Sequence, residues 1–269
     1  MAIAGLASAF RSTTLMRGLA ALGLAVLLAT TAQAKEWKTV RIGIDATYPP
    51  FESVNAKGEI IGWEVEYANE LCKRMKVTCT YQNQDWDGII PALLAGKFDM
   101  IVSSMSITPP RQKLIDFSEP YYFIPPVFLG QASNKSNDTS PPSMKGKTIG
   151  TQSSTTFANY LEKFYPGAEV KLYPGGDEPQ IELANGRLDY TVTSLIVAST
   201  FIEKSPGCCR IVSQIEPNLE IFGPGTGAAF RKEDADLRAM FNKAIAELDA
   251  DGTFKTLADK YFKINIRGK

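Results

Sequence analysis

The side chains that could do chemistry crowd into a few short stretches: Asp45 and Tyr48 in residues 41–51, Trp86 in 86–93, and Ser103, Ser104, Ser106 and Arg111 in 103–111. Asp45 falls at the carboxyl end of a predicted strand, where open α/β sheets place the groups that touch ligands. A guanidinium such as Arg111 can fork onto a carboxylate through two hydrogen bonds, but an arginine following Pro109-Pro110 serves equally as a solvated charge. Ser104 and Ser106 can accept hydrogen bonds from an ammonium group, or simply end a strand in a turn. Tyr48 and Trp86 can sandwich a flat cation, or belong to a core.

One absence narrows the bond chemistry. The sequence has 0 histidines, which excludes Ser-His-Asp and Cys-His nucleophiles, His-ligated zinc and an imidazole base. Its four cysteines lack the paired C-x2-C knuckles of a thiolate zinc site, so neither metal nor cofactor is expected. Cys72 and Cys79, spanning a helix end and the following strand, can join in an oxidising compartment. Cys208 and Cys209 are adjacent, and a bond between them needs a distorted peptide unit; the four cysteines allow three pairings. The glycine cluster at 223–227 precedes a predicted strand, whereas a phosphate cradle needs a helix N-terminus.

These residues need elements to hold them. At 269 residues the chain exceeds what one core usually holds, so two lobes are expected. Lys plus Arg equals Asp plus Glu at 29 each, a balance that offers no broad field for nucleic acid or an anionic membrane. Residues 1–34 read as a cleaved export signal: Arg11 and Arg17, no acid, an apolar run over 19–28, then Ala32-Gln33-Ala34. A start at Met16 would give a more compact leader. Loss of the leader removes Arg11 and Arg17 and no acid, leaving a mildly acidic protein outside the cytoplasmic membrane.

Short β-rich runs then alternate with helical periods. Strands are predicted over 39–45, 78–81 and 98–102, with helices over 64–75 and 89–95. A second series has strands over 148–150, 169–172 and 190–193, with helices over 155–164 and 180–185. The alternation predicts an α/β fold of parallel sheets with crossover helices in two lobes. Ile124-Pro125-Pro126 reads as a hinge and 133–142 as a surface loop. Beyond Pro217 the chain is expected to run extended to the glycine cluster, followed by a strand over 228–231. Leu237, Met240, Phe241, Ala244, Ile245 and Leu248 form one apolar helical stripe, ended by Gly252, before a last helix over 254–262.

Taken together, several segments resemble the periplasmic polar and basic amino-acid-binding proteins of ABC importers, above all the lysine/arginine/ornithine and histidine binders. They are Arg41-Ile42-Gly43-Ile44-Asp45-Ala46-Thr47-Tyr48-Pro49-Pro50-Phe51, Gly62-Trp63-Glu64-Val65-Glu66, Trp86-Asp87-Gly88-Ile89-Ile90-Pro91 and Ser103-Ser104-Met105-Ser106-Ile107-Thr108-Pro109-Pro110-Arg111. Gly186-Arg187-Leu188-Asp189 and Asp251-Gly252-Thr253 also fit. The resemblance implies a two-lobed periplasmic binding protein fold with a ligand cleft between lobes joined by two hinge strands. It implies lobe 1 over 35–124 plus 222–269 and lobe 2 over 125–221, a Cys72–Cys79 disulfide, and no catalysis. Arg111, with the N–H groups of Ser106 and Thr155, is implied to hold the ligand carboxylate. Tyr48 and Trp86 sandwich the side chain, Asp45 pairs its distal cation, and Ser103 and Ser104 line the same site. The implied partners are a small amino acid and an inner-membrane permease; a monomer that binds no nucleic acid is expected.

Ser194 departs from that pattern. The basic amino-acid binders place an aspartate there against the ligand's α-ammonium, and a buried ammonium without a counter-ion costs several kcal/mol. Either another carboxylate reaches in, or the ligand nitrogen is substituted, as in the opine-binding members that Trp86 and Ser194 resemble. A periplasmic dehydratase on the same scaffold, with Asp45 or Glu64 as acid or base, is a further reading; the sensor module of a receptor is another.

Overall fold

The computed structural model describes residues 35–267, so the predicted leader lies outside the described residues. Two five-stranded sheets carry the chain. The first runs in the order Thr78–Asn83, Thr39–Ile44, Met100–Ile101, Ala229–Phe230, Asp116–Phe117. The second runs Glu169–Tyr173, Thr148–Gln152, Tyr190–Ser194, Pro126–Gln131, Cys209–Gln214. Both are mixed, which corrects the all-parallel expectation. Ala229–Phe230 pairs antiparallel with both its neighbours, and Pro126–Gln131 does the same in the second sheet. Each sheet therefore contains a strand laid down as the chain passes between sheets, and such a strand arrives from the opposite end.

Helix Trp63–Met75 buries Trp63, Val65, Tyr67, Ala68, Leu71, Cys72 and Met75 against the first sheet's core, beside Leu237, Phe241, Ala244, Ile245 and Leu248 of helix Ala235–Ala250. That stripe was legible because burial on one helix face imposes the 3.6-residue period. Gly252 takes a left-handed φ of 77° between this helix and the last, Thr253–Tyr261.

The other departures are local. Helix Trp86–Leu94 begins three residues before the apolar run that marked it, because Asp87 and Gly88 interrupt the apolar pattern between Trp86 and Ile89, although Trp86 packs against the same cluster. A helix at Leu195–Lys204 went unread: the apolar residues run on from strand Tyr190–Ser194 without a break in composition, and Ser194 both ends the strand and caps the helix. Part of the stretch expected to be extended before the glycine cluster is the short helix Leu219–Phe222. A three-stranded sheet of Thr47–Tyr48, Glu52–Val54 and Ile60–Ile61 was also unread, its strands being too short to show alternation.

Two segments cross between the sheets side by side. Tyr121 N–H donates to Thr226 O at 2.9 Å and Thr226 N–H donates to Tyr122 O at 2.8 Å. Gly223 adopts φ 69°, and a Cβ there would lie 1.7 Å from Ile107 O, so only glycine lets this crossing pack. The glycine cluster is thus a close-approach device. Cys72 is bonded to Cys79, and Cys208 to Cys209.

Candidate functional site

A cleft lies where the sheets face each other. Asp45, Tyr48, Trp86, Ser103, Ser104, Ser106, Arg111 and Thr155 all line it. Asp45 directly follows strand Thr39–Ile44; its N–H donates to Ser103 Oγ at 2.9 Å, while its carboxylate accepts from Thr47 Oγ1 at 2.9 Å and Gln152 Nε2 at 2.7 Å. Arg111 donates through Nη1 to Ser106 O at 2.9 Å and through Nη2 to Ser154 O at 3.3 Å, with its guanidinium carbon 5.3 Å from the Trp86 ring centroid. Trp86 Nε1 donates to the same Ser154 carbonyl at 3.2 Å. Thr155 caps helix Thr156–Phe164, its Oγ1 accepting from Ala158 N–H at 3.2 Å, which sets the positive end of that helix against the cleft.

Ser194 lines an adjoining recess rather than the cleft itself; Tyr48, Ser104, Ser106, Thr156 and Phe157 are common to both. Its Oγ accepts from Val197 N–H at 3.4 Å, so this serine also has the structural work of starting a helix.

The cleft is polarised. Among the described residues no carboxylate pairs with Arg111, whose partners are backbone carbonyls. Burial lowers its pKa to about 10, which leaves it protonated at neutral pH. Opposite in sign are Asp45 and Glu52. Burial pushes the Asp45 carboxyl above the usual carboxylate range, partly offset by the Gln152 and Thr47 hydrogen bonds. Burial, followed by the charge of Glu64, pushes Glu52 well above it. A uniformly apolar cleft would suit an apolar guest, whereas a free guanidinium, buried carboxylates and two aromatic rings suit a guest carrying both charges.

Residues 40–264 match the family described as bacterial extracellular solute-binding proteins, family 3. The chain belongs to that family. It is 39% identical over 258 residues to the lysine/arginine/ornithine-binding periplasmic protein of Escherichia coli K12, covering 94% of this chain and 99% of that one. Among solved structures, an ancestral arginine-binding protein bound to arginine superposes with a TM-score of 0.77 at 33% identity, covering 83% of this chain and 98% of that chain. An ancestral amino acid-binding protein, a precursor of cyclohexadienyl dehydratase, gives a TM-score of 0.74 at 31% identity, covering 84% and 95%. The fold is two-lobed α/β, as in these solute-binding proteins.

Within this family 3 member, four lining residues escaped the sequence reading: Glu52, Gln152, Thr156 and Phe157. Gln152 ends strand Thr148–Gln152, two residues beyond the predicted strand end, so the strand-end rule that picked out Asp45 fell short of it. Glu52 had no such signal, being one acid among many in a turn-rich stretch. Glu64 does not line the cleft. It lies behind Glu52, fully buried, accepting from Ser104 N–H at 2.6 Å, from Ser104 Oγ at 3.0 Å and from the Tyr121 hydroxyl.

Proposed function

We propose that this protein is a periplasmic receptor that captures a basic amino acid and delivers it to an ABC permease. The observation that carries the ligand class is the pairing of an Arg111 without an acidic partner with the carboxylates of Asp45 and Glu52 in one cleft that Tyr48 and Trp86 also line. Arg111 and the start of helix Thr156–Phe164 take the ligand carboxylate, and Ser103, Ser104 and Ser106 accept from its amino groups. Asp45 and Glu52 balance the cations, with Glu52 the further carboxylate that the serine at 194 calls for. The lobes are 35–124 plus 222–269 and 125–221, closing about the two crossing segments. Similarity to periplasmic binders supports export, with cleavage before Lys35; N-terminal sequencing of exported protein should begin at Lys35.

Isothermal calorimetry of exported protein against arginine, lysine, ornithine, histidine and glutamine tests the reading. Tight binding within the basic set is expected; heat from none of them overturns it. Release of phenylpyruvate from prephenate would instead make it an enzyme. The recess at Ser194 favours one second reading: a ligand N-substituted at the α position, octopine or nopaline, would place its substituent there. Tighter binding of those opines than of free arginine is its signature.

A further inference from the structure

Glu52 and Glu64 are 1% and 0% exposed, and their carboxyl groups converge on one hydroxyl, Ser104 Oγ lying 3.4 Å from Glu52 Oε2 and 3.0 Å from Glu64 Oε2. Every other group that bonds them is neutral. Glu52 accepts from Ser103 Oγ at 3.3 Å and lies 3.4 Å from Ser104 Oγ; Glu64 takes the Ser104 N–H and the Ser104 and Tyr121 hydroxyls. No cation among the described residues forms an ion pair with either. The remaining titratable groups facing the pair are Asp45, which adds negative charge, and Tyr48, Tyr67, Tyr121 and Tyr122, all buried phenols held neutral. Arg111 lines the same cleft but is turned onto backbone carbonyls. Two buried carboxylates that converge on one hydroxyl oppose each other's ionisation when no counter-ion is near, which favours a proton held between them. Glu64, with three donors, is the better-solvated anion, which leaves the proton on Glu52, the member that faces the cleft.

We propose that the Glu52–Glu64 pair carries one shared proton in the empty protein, and that a ligand cation seated against Glu52 expels it to solvent. Capture of a ligand that carries an α-ammonium is then coupled to proton release, and capture of one that lacks it is not. Glu64 acts as a positioning residue: it never meets the ligand, but by keeping Glu52 protonated in the empty cleft it sets the affinity for cations as a function of pH. The inference rests on the basic-amino-acid reading above.

The test is calorimetry with arginine and with 5-guanidinopentanoate, which is arginine without its α-amino group, in buffers of different ionisation enthalpy from pH 6 to 9. For arginine the apparent enthalpy should vary with buffer by up to one proton released per ligand. Its affinity should rise by as much as tenfold per pH unit until the pair has ionised. Any heat from 5-guanidinopentanoate should be independent of buffer. In Glu64→Gln the release should shrink, with arginine affinity nearly flat in pH. Arginine binding without buffer or pH dependence in the wild type overturns the inference and leaves the ligand reading intact. Proton release that persists in Glu52→Gln overturns it too, pointing to Asp45 as the source. Absence of binding by arginine and by every other basic ligand overturns both.

Discussion

Gln152 donates its Nε2 to Asp45 Oδ2 at 2.7 Å, joining the carboxyl ends of the first strand of each α/β series across 107 residues of sequence. Gly176 N–H to Thr47 Oγ1 at 2.8 Å and Ser153 Oγ to Asp87 at 2.9 Å cross the same cleft. These bonds, with those from Trp86 and Arg111 to Ser154, hold the sheets against each other around the site.

A hydrogen bond to a charged group contributes roughly 1.5–3 kcal/mol. Gln152→Ala should therefore weaken ligand binding by about tenfold or more, mostly through faster dissociation, because what it loses holds the cleft shut. Stopped-flow fluorescence of Trp86 would register this; an unchanged dissociation rate would assign the bond to the empty state alone.

Arg111→Ala strips the charge-assisted partner of the ligand carboxylate from a closed cleft, and should cost about 2–5 kcal/mol of binding. Folding should respond little, since Arg111 bonds two backbone carbonyls and no carboxylate. Calorimetry beside a thermal melt separates the two, and a melt that drops while affinity holds contradicts the assignment.

Unfolded, Glu52 ionises near pH 4.3. Folded, burial and the neighbouring Glu64 charge keep its proton on to higher pH, so between those values the folded state binds more protons and loses stability as pH rises. Glu52→Gln removes that proton equilibrium. The stability of the empty wild type relative to Glu52→Gln should fall from about pH 4.3 upward by at most about 1.4 kcal/mol per pH unit, then level off once the folded group ionises. Urea unfolding at half-unit pH intervals measures it, and parallel curves would mean that Glu52 is not protonated.

The Cys72–Cys79 bond closes a short ring, with 7 residues of sequence separation, between the end of helix Trp63–Met75 and strand Thr78–Asn83. On loop entropy it contributes roughly 2–3 kcal/mol. Replacing both cysteines with alanine should lower the melting temperature by about 5–10 °C in a domain of this size. Ligand affinity should stay, since the bond lies away from the cleft-lining residues.

Much of this protein was legible in its residues. Helix Ala235–Ala250 showed as a stripe, helix Thr156–Phe164 was read to within one residue, and Asp45 stood out by its place at a strand end, because periodicity and turn chemistry act over a few residues. Eight of the nine expected ligand contacts line one cleft, and the ninth, Ser194, lines the recess beside it. The antiparallel returns in both sheets, the pairing of Gln152 with Asp45 and the burial of Glu52 against Glu64 were not legible. Burial of a polar side chain leaves no periodic trace, and a carboxyl's proton depends on which groups the fold brings around it. The amino acids alone determined which charges this protein carries and which short segments become helix or strand. Tertiary structure decided which of those charges meet, since the partners of Asp45 and Glu52 come from distant segments and are brought into reach only when the chain packs and its sheets come face to face.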